Sequence, residues 1–211
     1  MAGLISTRLS LRWVPDEATE PTDTLVFNVG SYFMDLRILK ADQSIDWGMA
    51  GTRDILDQAP LKCRWNKVID SLGEAGSSDE GTFTKLPNGD DLETGSMPCP
   101  HKNDAVTEFE EVWKTLEPSK EFRKAWIVQS LDGMTFLGRI GDAFLGMRQS
   151  EDGFGARREA LENGAWKDIY VVGKVPSVKE FPDSVDASKW TIGQEFELGG
   201  VAFVVRAVEE I

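Results

Sequence analysis

The sequence predicts an all-β protein built as two small antiparallel barrels in succession, and three observations carry that expectation. Residues 5–13 read Ile-Ser-Thr-Arg-Leu-Ser-Leu-Arg-Trp, a near alternation of apolar and polar side chains. Successive strand residues point to opposite faces, so this segment has an apolar face and a polar one, whereas a 3.6-residue period would scatter the same residues around a cylinder. The pattern then recurs along the chain between short turn-forming segments. Finally, the polar stretch Thr115-Leu-Glu-Pro-Ser-Lys-Glu121, with its proline, splits the strands into two series.

After 5–13 the first series continues with strands at 25–29, 32–39, 45–50, 62–70, 81–86, 91–97 and 106–116, separated by the Gly/Ser-rich run 71–81, by Pro87-Asn88-Gly89 and by Pro98-Cys99-Pro100. Asn88-Gly89 has the composition of a type I′ hairpin turn. The second series comprises 125–131, 135–140, 143–149, 155–161, 165–173, 191–198 and 201–208, with Asn163-Gly164 and Gly199-Gly200 as tight turns. Residues 155–163 have helical propensity, but a hairpin turn directly after them makes sense only between strands. The two series echo each other: Gly30-x-x-Phe33, Arg37 and Gly48-Met49 are followed by Gly133-x-x-Phe136, Arg139 and Gly146-Met147. Some seven short strands per half suit a closed or nearly closed barrel, which removes exposed sheet edges. The domains expected are residues 1–117 and 122–211. Trp13 and Trp126, at the first strands of the two halves, are expected to be structural.

Charge narrows the function. With 23 basic and 36 acidic residues the net charge is −13, so a nucleic-acid partner, which demands cations to displace counterions, is not expected. Anionic membrane surfaces are disfavoured likewise. No run of 18 apolar residues and no basic segment followed by an apolar one is present, so neither membrane insertion nor a signal peptide is expected. Cys63 and Cys99 are too few for a disulfide framework. The expected address is cytoplasmic, with the nucleus as the alternative.

Asp46-Trp47-Gly48-Met49-Ala50-Gly51-Thr52, then Leu92-Glu93-Thr94-Gly95, then Glu108-Phe109-Glu110-Glu111-Val112-Trp113 with Glu117-Pro118, resemble the fungal HRI family of small casein-kinase-interacting proteins. The resemblance runs from Arg8–Trp13 to the 199–205 segment. It implies two lipocalin-like barrels, in agreement with the alternation. It implies no catalytic residue, because the family has no established general chemistry. The chain departs from the family at Gly48-Met49, where an aromatic is expected, and at Trp65-Asn66-Lys67. Lost bulk there widens a cavity or is drift in a wall.

No motif supplies a metal or a cofactor, and none is expected. His101, the single histidine, lies in a loop two residues from Cys99, which falls short of a zinc set and makes a Ser-His-Asp or Cys-His arrangement improbable. Gly153-Phe154-Gly155 lacks the third glycine and the βαβ setting of a dinucleotide site. In 108–113, Phe109, Glu111 and Trp113 share one face. A Glu buried beside Trp would have a raised pKa, although solvated glutamates around a packing tryptophan are the commoner arrangement. The runs Asp90-Asp91 and Asp183 to Asp186 read as solvated turns.

The most promising set is polar groups among aromatics in the first barrel. Trp47, Trp65, Glu93 and Trp113 are the expected ligand-binding residues. Tyr32, Arg53 and Lys67 are the expected candidates to polarise a ligand oxygen. A barrel of this size either fills itself or holds one small ligand. The leading expectation is therefore a barrel that binds an uncharged or weakly anionic apolar metabolite of terpenoid or polyketide size. It extends to cofactor-free cyclisation of the Diels–Alder type, by analogy with fungal natural-product enzymes. The alternative is a non-enzymatic interaction protein that docks a kinase or other partner through its acidic surface.

Overall fold

The structure is a computed structural model that describes residues 3–119, 122, 124–181 and 187–211. Eight antiparallel strands close the first barrel in chain order: β1 Leu4–Trp13, β2 Thr22–Val29, β3 Tyr32–Leu39, β4 Ile45–Gln58, β5 Leu61–Asp70, β6 Ser78–Lys85, β7 Asp91–Cys99 and β8 Ala105–Leu116. Closure comes from β1 pairing with β8, Ile5 against Leu116 through Trp13 against Phe109. The second unit is a seven-stranded sheet. It comprises β9 Lys124–Ser130, β10 Thr135–Ile140, β11 Ala143–Ser150, β12 Gly153–Glu162, β13 Ala165–Val172, β14 Glu195–Leu198 and β15 Val201–Glu210, in the order β13-β12-β11-β10-β9-β15-β14. Residues 155–163 are strand and turn, not helix. No helix among the described residues is long and apolar enough to cross a membrane.

Turn chemistry explains most boundaries. Asn163-Gly164 takes left-handed φ at both residues (53° and 77°), as does Gly199-Gly200 (59° and 79°), which is the type I′ signature. Asn88-Gly89 departs from that expectation: in the connection 86–90 only Gly89 is left-handed (φ 92°). There the Asn88 side-chain oxygen accepts from the Asp90 amide, holding a longer loop in place of the tight turn. The expected strand at 191–198 is shortened to 195–198, because Thr191–Gln194 close a turn instead. The aspartates expected at 183 and 186 fall outside the described residues.

The apolar core does not lie where two independent barrels would put it. The outward face of the first barrel, with Leu25, Phe27, Met34, Leu36 and Ile38, packs directly on one face of the second sheet, with Ile127, Phe136, Ile140, Leu145 and Met147. Close approach at this seam requires glycines. A methyl at Gly138 would press on Met34 and Phe27, and one at Gly48 would overlap the Phe154 ring. The other face of the second sheet is filled by Trp126, Phe144, Phe203 and Val205 beneath Val175 and Val178 from residues 173–181 and Trp190 from residues 187–194. Buried Glu159 anchors the 173–181 segment by accepting from Ser177 Oγ (2.6 Å) and the Val178 amide (2.8 Å). Its partner Ser177 caps the 178–180 turn reciprocally with Glu180. Trp126 is buried in an aromatic cluster with Phe144, Phe181 and Trp190, whereas Trp13 is half-buried at one end of the first barrel, edge-on to Phe109 and His101.

The alternation in β1 is present, and part of its polar set faces the interior. Ser6 and Arg8 of the polar set point into the barrel, while Ile5 points outward into the seam. A bulge between Arg8 and Ser10 then reverses the parity, so that Leu11 and Trp13 stand opposite Glu111 and Phe109.

Candidate ligand cavity of the first barrel

The first barrel encloses a cavity of about 150 Å³. One end of the barrel carries the turns after β2, β4 and β6, and there the lining residues Leu4 and Leu61 are exposed to solvent. The wall is aromatic: Phe33 on β3, Trp47 on β4, Trp65 on β5, Phe83 on β6, and Phe109 and Trp113 on β8. These residues converge because period-2 alternation on each strand sends one residue in two to the interior.

Charged groups are embedded in that wall. Arg37 reaches both oxygens of Asp35 (Nη2 to Oδ2 2.8 Å, Nε to Oδ1 3.3 Å) and also Glu111 (3.3 Å), while Arg8 binds Glu111 and Glu20. Burial works against the charge on Arg37, but Asp35 and Glu111 outweigh it and its pKa is raised. The Arg37 guanidinium lies 5.0 Å from the Trp47 ring centre and 6.0 Å from that of Trp113. Trp47 also donates from Nε1 to Asp70 Oδ2 at 2.8 Å.

Glu93 is the exception in this network. It is buried, stands directly across from Glu111 in the β7–β8 ladder, and makes no ion pair among the described residues. Its Oε2 accepts from Trp113 Nε1 at 2.8 Å. Burial, and then the facing Glu111, raise its pKa well above the usual carboxylate range, with Arg37 and Trp113 opposing. Gly81 makes room for it, since a methyl there would overlap the Glu93 carboxyl. The expectation of solvated glutamates at 108–111 is thus corrected at Glu111, which faces inward between two arginines. Glu108 and Glu110 keep the outer face, Glu110 pairing with Arg12.

Of the residues singled out from the sequence, Trp47, Arg53, Trp65, Glu93 and Trp113 line the cavity together. Tyr32 does not. It lies against the shared core on the barrel's outer side, because inward positions on β3 fall at 33, 35 and 37. Lys67 does not line it either, being buried at the opposite end and bound to Glu74 (2.8 Å) and Asp79 (3.0 Å), 4.9 Å from the Trp47 ring centre. Gly48 leaves its space to Phe154 from the second sheet and not to the cavity; its neighbour Met49 is the one that faces inward. Sequence reasoning missed Arg8, Asp35 and Arg37, although the inward parity of Arg37 follows from the β3 alternation. It also missed Asn28, which lines the cavity with Oδ1 buried and unpartnered.

Elsewhere, Cys99 Sγ lies 3.4 and 3.5 Å from the two His101 ring nitrogens, and Asp16 lies 3.5 Å from Nε2. A thiol equidistant from both nitrogens is aligned with neither, so this trio is not a nucleophile–base pair. No group of three or more metal-ligating side chains occurs among the described residues.

The sequence profile of the family described as Protein HRI1 matches residues 4–206. The chain belongs to the HRI1 family. Among curated proteins no sequence matches it. Among solved structures it is similar to that of an uncharacterized protein from Saccharomyces cerevisiae, with a TM-score of 0.78 at 17% identity over 97% of this chain and 98% of that one. At that identity the likeness speaks for the fold alone.

Proposed function

We propose that the first barrel binds one small, largely apolar molecule. The observation that carries this reading is the aromatic-walled cavity itself, which holds buried polar atoms, Asn28 Oδ1 and Arg53 Nε, that no group among the described residues satisfies. Buried polar atoms are normally paired, and an unpaired one costs about 1–3 kcal/mol. A ligand supplying the missing hydrogen bonds removes that cost. The volume suits a molecule of roughly benzene size with its substituents, smaller than the terpenoid or polyketide expected from the sequence. The face of the second sheet that carries the Trp126 cluster is packed with aromatic and aliphatic side chains.

Saturable changes in tryptophan emission on titration with small aromatic and alicyclic probes are the expected result, since three tryptophans line the cavity. Cys63→Phe, which projects a ring into the void, should abolish them while leaving the β-type circular dichroism intact. Unchanged wild-type emission with every probe would refute the reading.

Glu93 supports turnover as a second reading. A buried carboxylic acid held toward its neutral form is a proton donor in an apolar site, suited to cofactor-free isomerisation or cyclisation of a bound molecule. Glu93→Gln keeps the shape and removes the proton, so turnover should stop while binding persists.

A further inference from the structure

The charged residues lining the cavity leave one charge unanswered. Among the acids, Asp35 is paired with Arg37, and Glu111 with Arg8 and Arg37. Asp79 is paired with Lys67, Glu80 with Lys62 and Arg64, and Asp91 with Lys85. Glu93 alone lacks a cation, and its burial favours the neutral acid. Of the two arginines in the lining, Arg37 is engaged by two carboxylates. Arg53 makes no ion pair among the described residues. Among the described residues its guanidinium makes a single hydrogen bond, a long one of 3.5 Å from Nη2 to the Gly30 carbonyl, and its buried Nε has none. Asn28 stands at the same end of the barrel, two residues before the Gly30 turn over which Arg53 lies. The residue is more than nine-tenths buried, and its Oδ1 has no partner among the described residues. The nearby walls, Leu4, Val26 and Phe33, are apolar.

Building on the cavity-binding reading, we propose that the natural ligand class is a small apolar monocarboxylate. Its carboxylate sits on Arg53 with the Asn28 amide beside it, and its apolar body extends inward between Trp47, Trp65 and Trp113. A guanidinium offers two parallel N–H donors matched to a carboxylate, and the pair gains strength where water is displaced. One monoanion answers the remaining cation; a neutral ligand leaves it unanswered, and a cation adds a second positive charge beside it. The Asn28 carboxamide is free to turn its NH₂ toward the ligand, because no hydrogen bond among the described residues holds its Oδ1.

The test uses the full chain and matched probes at neutral pH: benzoate and 3-phenylpropanoate, their primary amides, and benzylamine, followed by calorimetry and tryptophan emission. The carboxylates should bind at least tenfold more tightly than the amides, and benzylamine more weakly than either. Arg53→Gln should erase the acid-over-amide ratio, the acid losing at least tenfold in affinity and the amide far less. Asn28→Asp, which places a competing carboxylate beside Arg53 without removing it, should weaken carboxylate binding by at least tenfold and spares the test from dependence on a single variant. Equal binding of acid and amide, or an acid preference that survives in Arg53→Gln, overturns the proposal and leaves the cavity reading standing. Absence of binding by every probe overturns both.

Discussion

Replacing Glu93 by glutamine should stabilise the protein, and the gain should grow with pH. The folded chain holds the Glu93 carboxyl in a buried position across from Glu111, with Trp113 Nε1 as its single hydrogen-bond donor. Its pKa is therefore raised in the folded state, so between the unfolded value, about 4.3, and the folded one the native protein binds a proton that the unfolded chain has released. Stability falls with rising pH wherever the native state holds the extra proton, at ~1.4 kcal/mol per pH unit for one group. The loss begins near the unfolded value and stops once folded Glu93 itself ionises. Glutamine has no proton to lose and retains an oxygen for Trp113, and Gly81 leaves room for its amide. Urea unfolding followed by tryptophan emission at pH 4, 5, 6 and 7 gives the difference directly. Wild type and Glu93→Gln should nearly coincide at pH 4 and diverge by up to ~1.4 kcal/mol per unit above it, in favour of the variant. A pH-independent difference, or a wild type that gains on the variant as pH rises, would show that Glu93 is ionised in the fold and that the reasoning about its burial is wrong.

Glu111→Ala should do the opposite, destabilising by ~3–5 kcal/mol because Arg8 and Arg37 lose a shared buried partner. It should also lower the Glu93 pKa, measured by carboxyl-carbon NMR titration, since the facing charge is gone. Trp126→Ala should cost ~3–5 kcal/mol in a denaturant melt, as expected for a fully packed aromatic. Trp13→Ala should cost clearly less, because half-buried Trp13 closes one end of the barrel and lies outside the main core; equal costs would show that the end cap is as dense as the core.

Strand positions were legible because alternation and turn dipeptides are local properties, and ranges such as 32–39 and 135–140 coincide with β3 and β10. Which way a face points is not local. Ile5 and Leu25 face out of the first barrel, because a second sheet supplies their cover, and nothing local in the sequence marks that. A bulge such as that after Arg8 leaves no mark in a short alternating run, so Leu11 and Trp13 switched sides unannounced. The same limits sorted the site residues. Tryptophans and Glu93 on strands had one chance in two of facing inward, and the motif spacing placed them well. Tyr32 failed by one position of parity, and Lys67 was claimed by carboxylates from a loop and a strand that spacing does not bring to mind. Gly81 shows its purpose only once Glu93 is placed beside it.

The apolar seam on the outside of the first barrel bears on why a cavity persists within it. An eight-stranded barrel is ordinarily narrow enough for its own side chains to fill, and a barrel that must supply its own stability has every reason to fill it. Here apolar burial is concentrated in the seam, where Phe27, Met34 and Leu36 meet Ile127, Phe136 and Leu145 at essentially zero exposure. Hydrophobic stabilisation scales with area removed from water wherever that area lies, so the seam holds the barrel wall together from outside. The interior is thereby released from packing duty and takes groups that contribute little net stability. Buried ion pairs such as Arg8–Glu111 and Arg37–Asp35 are near break-even once desolvation is counted, but they hold to fixed hydrogen-bonding distances. Arg37 and Lys67, 5.0 and 4.9 Å from the centre of the Trp47 ring, hold it against the wall, and Glu93 does the same for Trp113 through its indole N–H. Rings pinned in this way do not collapse into the void between them, which leaves Arg53 and Asn28 facing an open cavity with their hydrogen-bonding capacity unspent.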